Sequence, residues 1–161
     1  MTHIEVPESL RDEIKASHGA KQLPQEIQSQ LFEAAVRAKS KSYSPYSKFP
    51  VGAAVLTESG EVFLGCNVEN ASYGGAICAE RTAFVKAVSE GQQKFLAVGV
   101  VTNLKSFASP CGFCRQFMVE FGKDLQVYLF QEDGSVQFYV LRELLPHSFG
   151  PEDLEQFNAQ A

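Results

Sequence analysis

Residues 95–102, FLAVGVVT, are apolar or nearly so without interruption. A strand with one face in water alternates apolar and polar side chains, so a run without alternation marks a central strand covered on both faces. Such a strand needs a sheet around it and helices above and below. The rest of the chain supplies them. Pro24 opens PQEIQSQLFEAAVRAKSKSY, where Ile27, Leu31, Ala34, Ala35 and Ala38 recur at helical spacing, and the two prolines of SPYSKFP (44–50) end it. VGAAVLT and EVFLGCNV, joined by Glu58-Ser59-Gly60, read as a hairpin. Ala79, Ala83, Phe84, Ala87 and Val88 mark a second helix that Gly91 stops. A short third helix runs behind Cys111 to about Phe121, and QVYLF and VQFYVL flank the Asp133-Gly134 turn as antiparallel neighbours.

The expected architecture is one three-layer α/β/α domain over residues 24–161. It has a single five-stranded mixed sheet whose last two strands are antiparallel. Residues 1–23 are polar and lack periodicity, so they read as a loose arm with room for a short helix. After the turn at RELL, the C-terminal residues read as an extended tail.

Several function classes drop out on charge and pattern. The formal net charge is −5 and no stretch concentrates Lys and Arg, which is the wrong footprint for a nucleic-acid partner. No apolar run approaches the ~20 residues that span a bilayer. Residues 1–23 carry acidic side chains and no apolar core stretch, so they do not read as a secretory signal, and a cytoplasmic protein is expected. In that setting the four cysteines point to metal or catalytic use and not to disulfides.

SPCGFCRQFM (109–118) sets Cys111 and Cys114 at the start of a helix, where free N–H groups and the macrodipole favour thiolates. Two thiols are half of a tetrahedral zinc site. Cys78 shares the placement, at the mouth of the CAERTAF helix, and both helices follow sheet strands, so their N-termini can meet at one sheet edge. Two arrangements stay open on cysteine count. Three ligands leave a coordination position free for chemistry, whereas Cys66 as a fourth closes a structural site. Strand alternation puts Cys66 with Val68 and Asn67 with Glu69; if the polar pair faces the pocket, Cys66 points away into packing. Glu80 lies in the first turn after Cys78, where the helix dipole alone favours a glutamate. Beside an open zinc position its carboxylate is also the general acid/base that hydrolytic zinc chemistry requires. Three thiolates overcompensate a divalent ion, and Arg81 is the natural group to withdraw charge from their sulfurs.

SPYSKFPVGAA, GCNVENASY, CAERTA, SPCGFCRQ and ELLPHSFGPEDL, in that order over about residues 27–157, resemble the small homotetrameric cytidine deaminases of the cytidine/deoxycytidylate deaminase superfamily. Cys78 stands where deoxycytidylate and nucleic-acid deaminases usually place histidine, which points to the free-nucleoside branch. The resemblance implies one Zn²⁺ per chain on Cys78, Cys111 and Cys114, with Glu80 as proton shuttle in the hydrolysis of cytidine or deoxycytidine. It assigns Asn67 and Glu69 to the ribose, and Phe49 and Phe149 to base stacking. Tyr46 and Tyr73 are placed to reach the sugar, and Ala79 joins the substrate-contacting set. It further implies a homotetramer whose active sites are completed by adjacent subunits, with Phe149 and Tyr73 as crossing residues. His3, His18 and His147 have no ligand-like spacing. Two other readings share the metal half: a deaminase of another small aminopyrimidine nucleoside, and a structural-zinc interaction module.

Overall fold

The structure, a computed structural model, describes residues 2–160. Its centre is a strand, β4 (Phe95–Thr102), buried along its whole length. It lies between β2 (Val51–Thr57), antiparallel to it, and β5 (Gln126–Phe130), parallel to it. β3 (Glu61–Cys66) pairs with β2 in a hairpin, and β6 (Val136–Val140) pairs antiparallel with β5. Among the described residues the sheet has six strands and not five. β1 (Thr2–His3) adds to the outer edge of β3, in the order β1-β3-β2-β4-β5-β6.

Helices cover both faces. On one, α2 (Gln25–Lys39) buries Ile27, Leu31, Ala34, Ala35 and Ala38, the residues its periodicity selects, against Ala54, Leu56, Ala97 and Val101. On the other, α3 (Ala79–Ser89) and α4 (Gly112–Val119) pack on Ala53, Val55, Val98 and Val127. The hairpin strands admit the helices closely because each carries a glycine at the crossing. A Cβ on Gly52 would lie 2.1 Å from the Ala35 carbonyl oxygen of α2, and one on Gly65 2.3 Å from the Ala79 carbonyl oxygen of α3.

The N-terminal arm is not loose. It forms α1 (Glu8–Ala16), and Ile4, Val6, Leu10, Ile14 and Leu23 are buried in the same core as α2. Arg11 Nη1 donates to the Glu58 carbonyl at 2.7 Å. A buried polar clasp holds the stretch that follows. Gln126 Nε2 donates to the carbonyls of Gly19 (2.8 Å) and Lys21 (2.6 Å), and the Tyr128 hydroxyl accepts the Leu23 N–H at 2.8 Å. The C-terminus also differs from the expected extended tail. After the short α5 (Leu141–Leu144), residues Pro151–Ala159 form α6. Pro151 sits at the first helical position, where its missing N–H costs nothing, and the Asp153 carboxylate accepts the Gly150 N–H at 2.7 Å.

Candidate active site

β3 and β4 run in opposite senses to β2, so both end at the same edge of the sheet, and the helices that follow them begin there. Cys78 is the residue before α3 and Cys111 the residue before α4, with Cys114 in the first turn of α4. The three sulfurs lie within 4.8 Å of one another, with Cys78 Sγ and Cys111 Sγ 3.7 Å apart. Two thiolates bound tetrahedrally at about 2.3 Å from a zinc ion stand about 3.8 Å apart, so this donor set fits zinc. Among the described residues no fourth His, Cys, Asp or Glu joins the group. Cys66 does not close it. Its Sγ lies at the end of β3, toward the C-terminal end of α2, and donates to the Lys41 carbonyl at 3.2 Å.

The surroundings act on each titratable group. Cys78 is lowered to about 5, chiefly because the Cys114 thiol donates to it, with Arg81 adding to the effect against the cost of burial; Cys114, the donor, is raised. Arg81 Nη2 points at Cys78 Sγ from 3.7 Å, and its buried Nε has no hydrogen-bond partner among the described residues. The guanidinium of this half-buried residue thus meets a candidate ligand sulfur through Nη2. Glu80 is 4% exposed, and desolvation, with the Cys78 charge adding to it, pushes its carboxyl up to about 7. A carboxyl so placed can both hold and release a proton near neutral pH.

A cleft of about 430 Å³ opens over Cys78 and Cys111, and its lining also includes Phe49, Asn67, Glu69, Ala79 and Glu80. Tyr46 and Tyr73, with ring centroids 5.9 Å apart, line an adjoining hollow that shares Ser47 and Glu69 with the cleft. Phe149 is outside the cleft lining and largely exposed. Asn67 and Glu69 both face the cleft, yet their polar atoms also fasten the loop between α2 and β2. Asn67 Oδ1 accepts from Val51 N–H (2.9 Å) and the Ser42 hydroxyl (2.5 Å), while its Nδ2 donates to the Phe49 carbonyl at 2.9 Å. Glu69 accepts the N–H groups of Tyr46 (2.8 Å) and Ser47 (3.2 Å) and the Ser47 hydroxyl, and these bonds lower its pKa, the Ser47 hydroxyl most. Sequence reasoning missed Ser47, Thr102 and Ser109 in the lining. A signal existed for Thr102: it is the polar residue that ends the apolar run of β4 at the edge where the helices begin.

A family model for the cytidine and deoxycytidylate deaminase zinc-binding region matches residues 25–130, which include all three thiols and Glu80. The chain belongs to this deaminase family. Among its relatives, a cytidine deaminase of Sporosarcina psychrophila is 48% identical over 119 residues, covering 73% of this chain and 88% of the relative. A probable cytidine deaminase of Dictyostelium discoideum is 48% identical over 131 residues, with coverage of 81% and 88%. The crystal structure of cytidine deaminase from Burkholderia pseudomallei superposes with a TM-score of 0.72 at 48% identity, covering 74% of this chain and 97% of that one. That from Mycobacterium tuberculosis superposes with a TM-score of 0.67 at 41% identity, covering 76% and 96%. The family match begins just after the stretch held by the Gln126–Tyr128 clasp, so the arm lies outside it while packing on the deaminase core.

Proposed function

We propose that this protein hydrolyses cytidine and deoxycytidine to uridine and deoxyuridine with release of ammonia. Residues 24–161 are then the catalytic domain, onto which the arm folds. The observation that carries the reading is the carboxyl of Glu80, buried beside three thiols at two converging helix N-termini. A zinc ion held there supplies the Lewis acidity that makes water nucleophilic near neutral pH. Cys78, Cys111 and Cys114 are the residues that would hold the metal. Glu80 takes the proton the attacking water sheds and delivers it to the ring nitrogen beside carbon 4. It then helps protonate the departing amine, so that one water enters and one ammonia leaves. Arg81 withdraws charge from the sulfurs and keeps three thiolates from quenching the metal's pull on water.

Phe49 and Ala79 border the base, and Asn67 and Glu69 reach the sugar hydroxyls with the donor and acceptor capacity their loop bonds leave spare. The Glu69 carboxylate also repels a 5′-phosphate, which favours nucleoside over nucleotide. Tyr46 and Tyr73 sit beyond Glu69, on the sugar side.

The active form is a cytoplasmic homotetramer in which Phe149 of one subunit completes a neighbour's site, with Tyr73 as the second candidate for crossing between subunits. Their exposure supports this: Tyr73 is 76% and Phe149 60% exposed, and Phe113, Leu154 and Phe157 add further uncovered apolar surface. Among the described residues no helix is long and apolar enough to cross a membrane. The test is loss of cytidine ultraviolet absorbance with stoichiometric ammonia, in protein carrying one zinc per chain. Turnover of another aminopyrimidine nucleoside but not cytidine refutes the substrate assignment, and zinc without any turnover refutes the enzyme.

A further inference from the structure

The three thiols are not held alike. Cys78 follows Ile77, which exchanges two backbone hydrogen bonds with Val68 (2.9 and 3.0 Å), so its approach to the site is tied to the end of the hairpin. Cys114 is inside α4 and fully buried. Cys111 is exposed and arrives at the end of the stretch 103–110. Among the described residues, that stretch makes no backbone–backbone hydrogen bond. A metal ligand at the end of such a loop needs an external brace, because a free loop carries backbone entropy that binding would have to remove.

The start of the stretch is held by the Thr102 hydroxyl, which accepts the Leu104 N–H at 3.1 Å, and by Gln131 Nε2, which donates to the Lys105 carbonyl at 3.0 Å. Next to Cys111 one side chain supplies the brace. Arg115, half-buried on α4, donates from Nε to the Pro110 carbonyl at 2.7 Å and from Nη2 to the Ser109 hydroxyl at 2.7 Å. Its Nη1 donates to the Leu144 carbonyl, at the end of α5, at 2.6 Å. Three donors of one rigid, planar guanidinium therefore grip the two residues before Cys111 and anchor them to α5. The neighbouring Gln116 extends the same link, its Nε2 donating to the Phe149 carbonyl at 2.8 Å.

We infer that Arg115 is the positioning residue of the Cys111 limb of the metal cage, fixing the Ser109–Pro110 turn so that the Cys111 sulfur is delivered at ligand distance without ordering the loop on binding. The inference rests on the zinc-enzyme reading above. It sets Arg115 apart from Arg81, which faces the sulfurs themselves, since Arg115 acts through backbone and a hydroxyl.

The test is a chelator competition on zinc-loaded protein, with thermal unfolding and cytidine kinetics in parallel. Arg115→Ala is expected to lose zinc affinity by about 10–100-fold, the range seen when groups that orient metal ligands are removed. Arg115→Lys recovers part of the loss, because an ammonium can meet one acceptor but not three. Ser109→Ala loses least, since two of the three bonds remain. Parental zinc retention in Arg115→Ala overturns the inference, even if its melting temperature falls, because the role is then only structural. Should Arg115→Ala fail to fold, parental retention in both Arg115→Lys and Ser109→Ala overturns it equally. A parent that binds no zinc sinks the functional reading and this inference with it. A parent that binds zinc without deaminating cytidine sinks only the substrate assignment, and the chelator series still decides on Arg115.

Discussion

Gly65→Ala separates the geometry of the active site from the stability of the fold. In the native structure a Cβ at this position would sit 2.3 Å from both the Ala79 carbonyl oxygen and the Ala83 nitrogen of α3. Ordinary contact begins near 3.4 Å, so α3 must retreat from β3 by about 1 Å. The obstruction is backbone, which cannot rotate aside. Retreat costs contacts along the packed side of α3, where Ala83, Phe84 and Ala87 are fully buried, and overpacking of this kind costs about 1–3 kcal/mol. The same helix carries Cys78 at its mouth and Glu80 in its first turn. A displacement of about 1 Å at a reacting group lowers rate by about 10²-fold.

Gly52→Ala is the matched comparison. Its Cβ would meet the Ala35 oxygen at 2.1 Å and the Lys39 nitrogen at 2.4 Å, so it pushes α2 from the opposite face and leaves α3 in place. Urea unfolding and kcat per bound zinc should therefore show a similar stability loss in the two variants. The activity loss should be at least tenfold larger in Gly65→Ala. Equal activity losses would refute the claim that the glycine in β3 sets the position of the acid/base helix.

Glu80→Gln should abolish turnover while leaving zinc bound, at or beyond the upper end of the about 10²–10⁴-fold that a general acid/base contributes, since two proton transfers rest on one carboxyl; near-normal kcat would end its assignment. Cytidine 5′-monophosphate should react far more slowly than cytidine, and equal kcat/KM for the two would remove Glu69 from the sugar site. The protein should run in solution as four chains of 17.7 kDa, about 71 kDa. Phe149→Ala should then raise KM for cytidine more than it weakens zinc binding, and a fully active monomer would contradict the shared site. Tyr128→Phe strands the buried Leu23 N–H and the Gln126 Oε1 that the hydroxyl now contacts at 2.8 and 2.9 Å, at a cost of about 1–3 kcal/mol, so an unchanged urea midpoint would show that the arm is held by other contacts.

Local pattern was enough for much of this protein. Burial is periodic within an element, so the unbroken run of β4, the spacing of Ile27, Leu31 and Ala38 in α2, and the Asp133-Gly134 turn each carried their structural meaning within a few residues. So did the thiols at helix starts, because the N-terminal field is a property of the helix that begins there. The start of α6 was equally local but ambiguous. Gly150-Pro151 punctuates a loop as readily as it opens a helix, and the carboxylate of Asp153 that settles the matter acts only once the turn has formed.

Tertiary structure decided what depends on partners far along the chain. Leu10 and Ile14 give α1 too narrow a seam to announce a helix. The arm is ordered by the sheet and by a clasp from Gln126 and Tyr128, more than 100 residues away. Asn67 and Glu69 looked free to meet a sugar, but the loop from 42 to 51 folds back and uses much of their bonding capacity. The meeting of Cys78 with Cys111 across 33 residues, and the desolvation that raises Glu80, exist only when two strands end at one edge and their helices converge. Ligand identity is a property of residues, but coordination geometry and proton affinity are properties of the space around them, and only the packed chain defines that space.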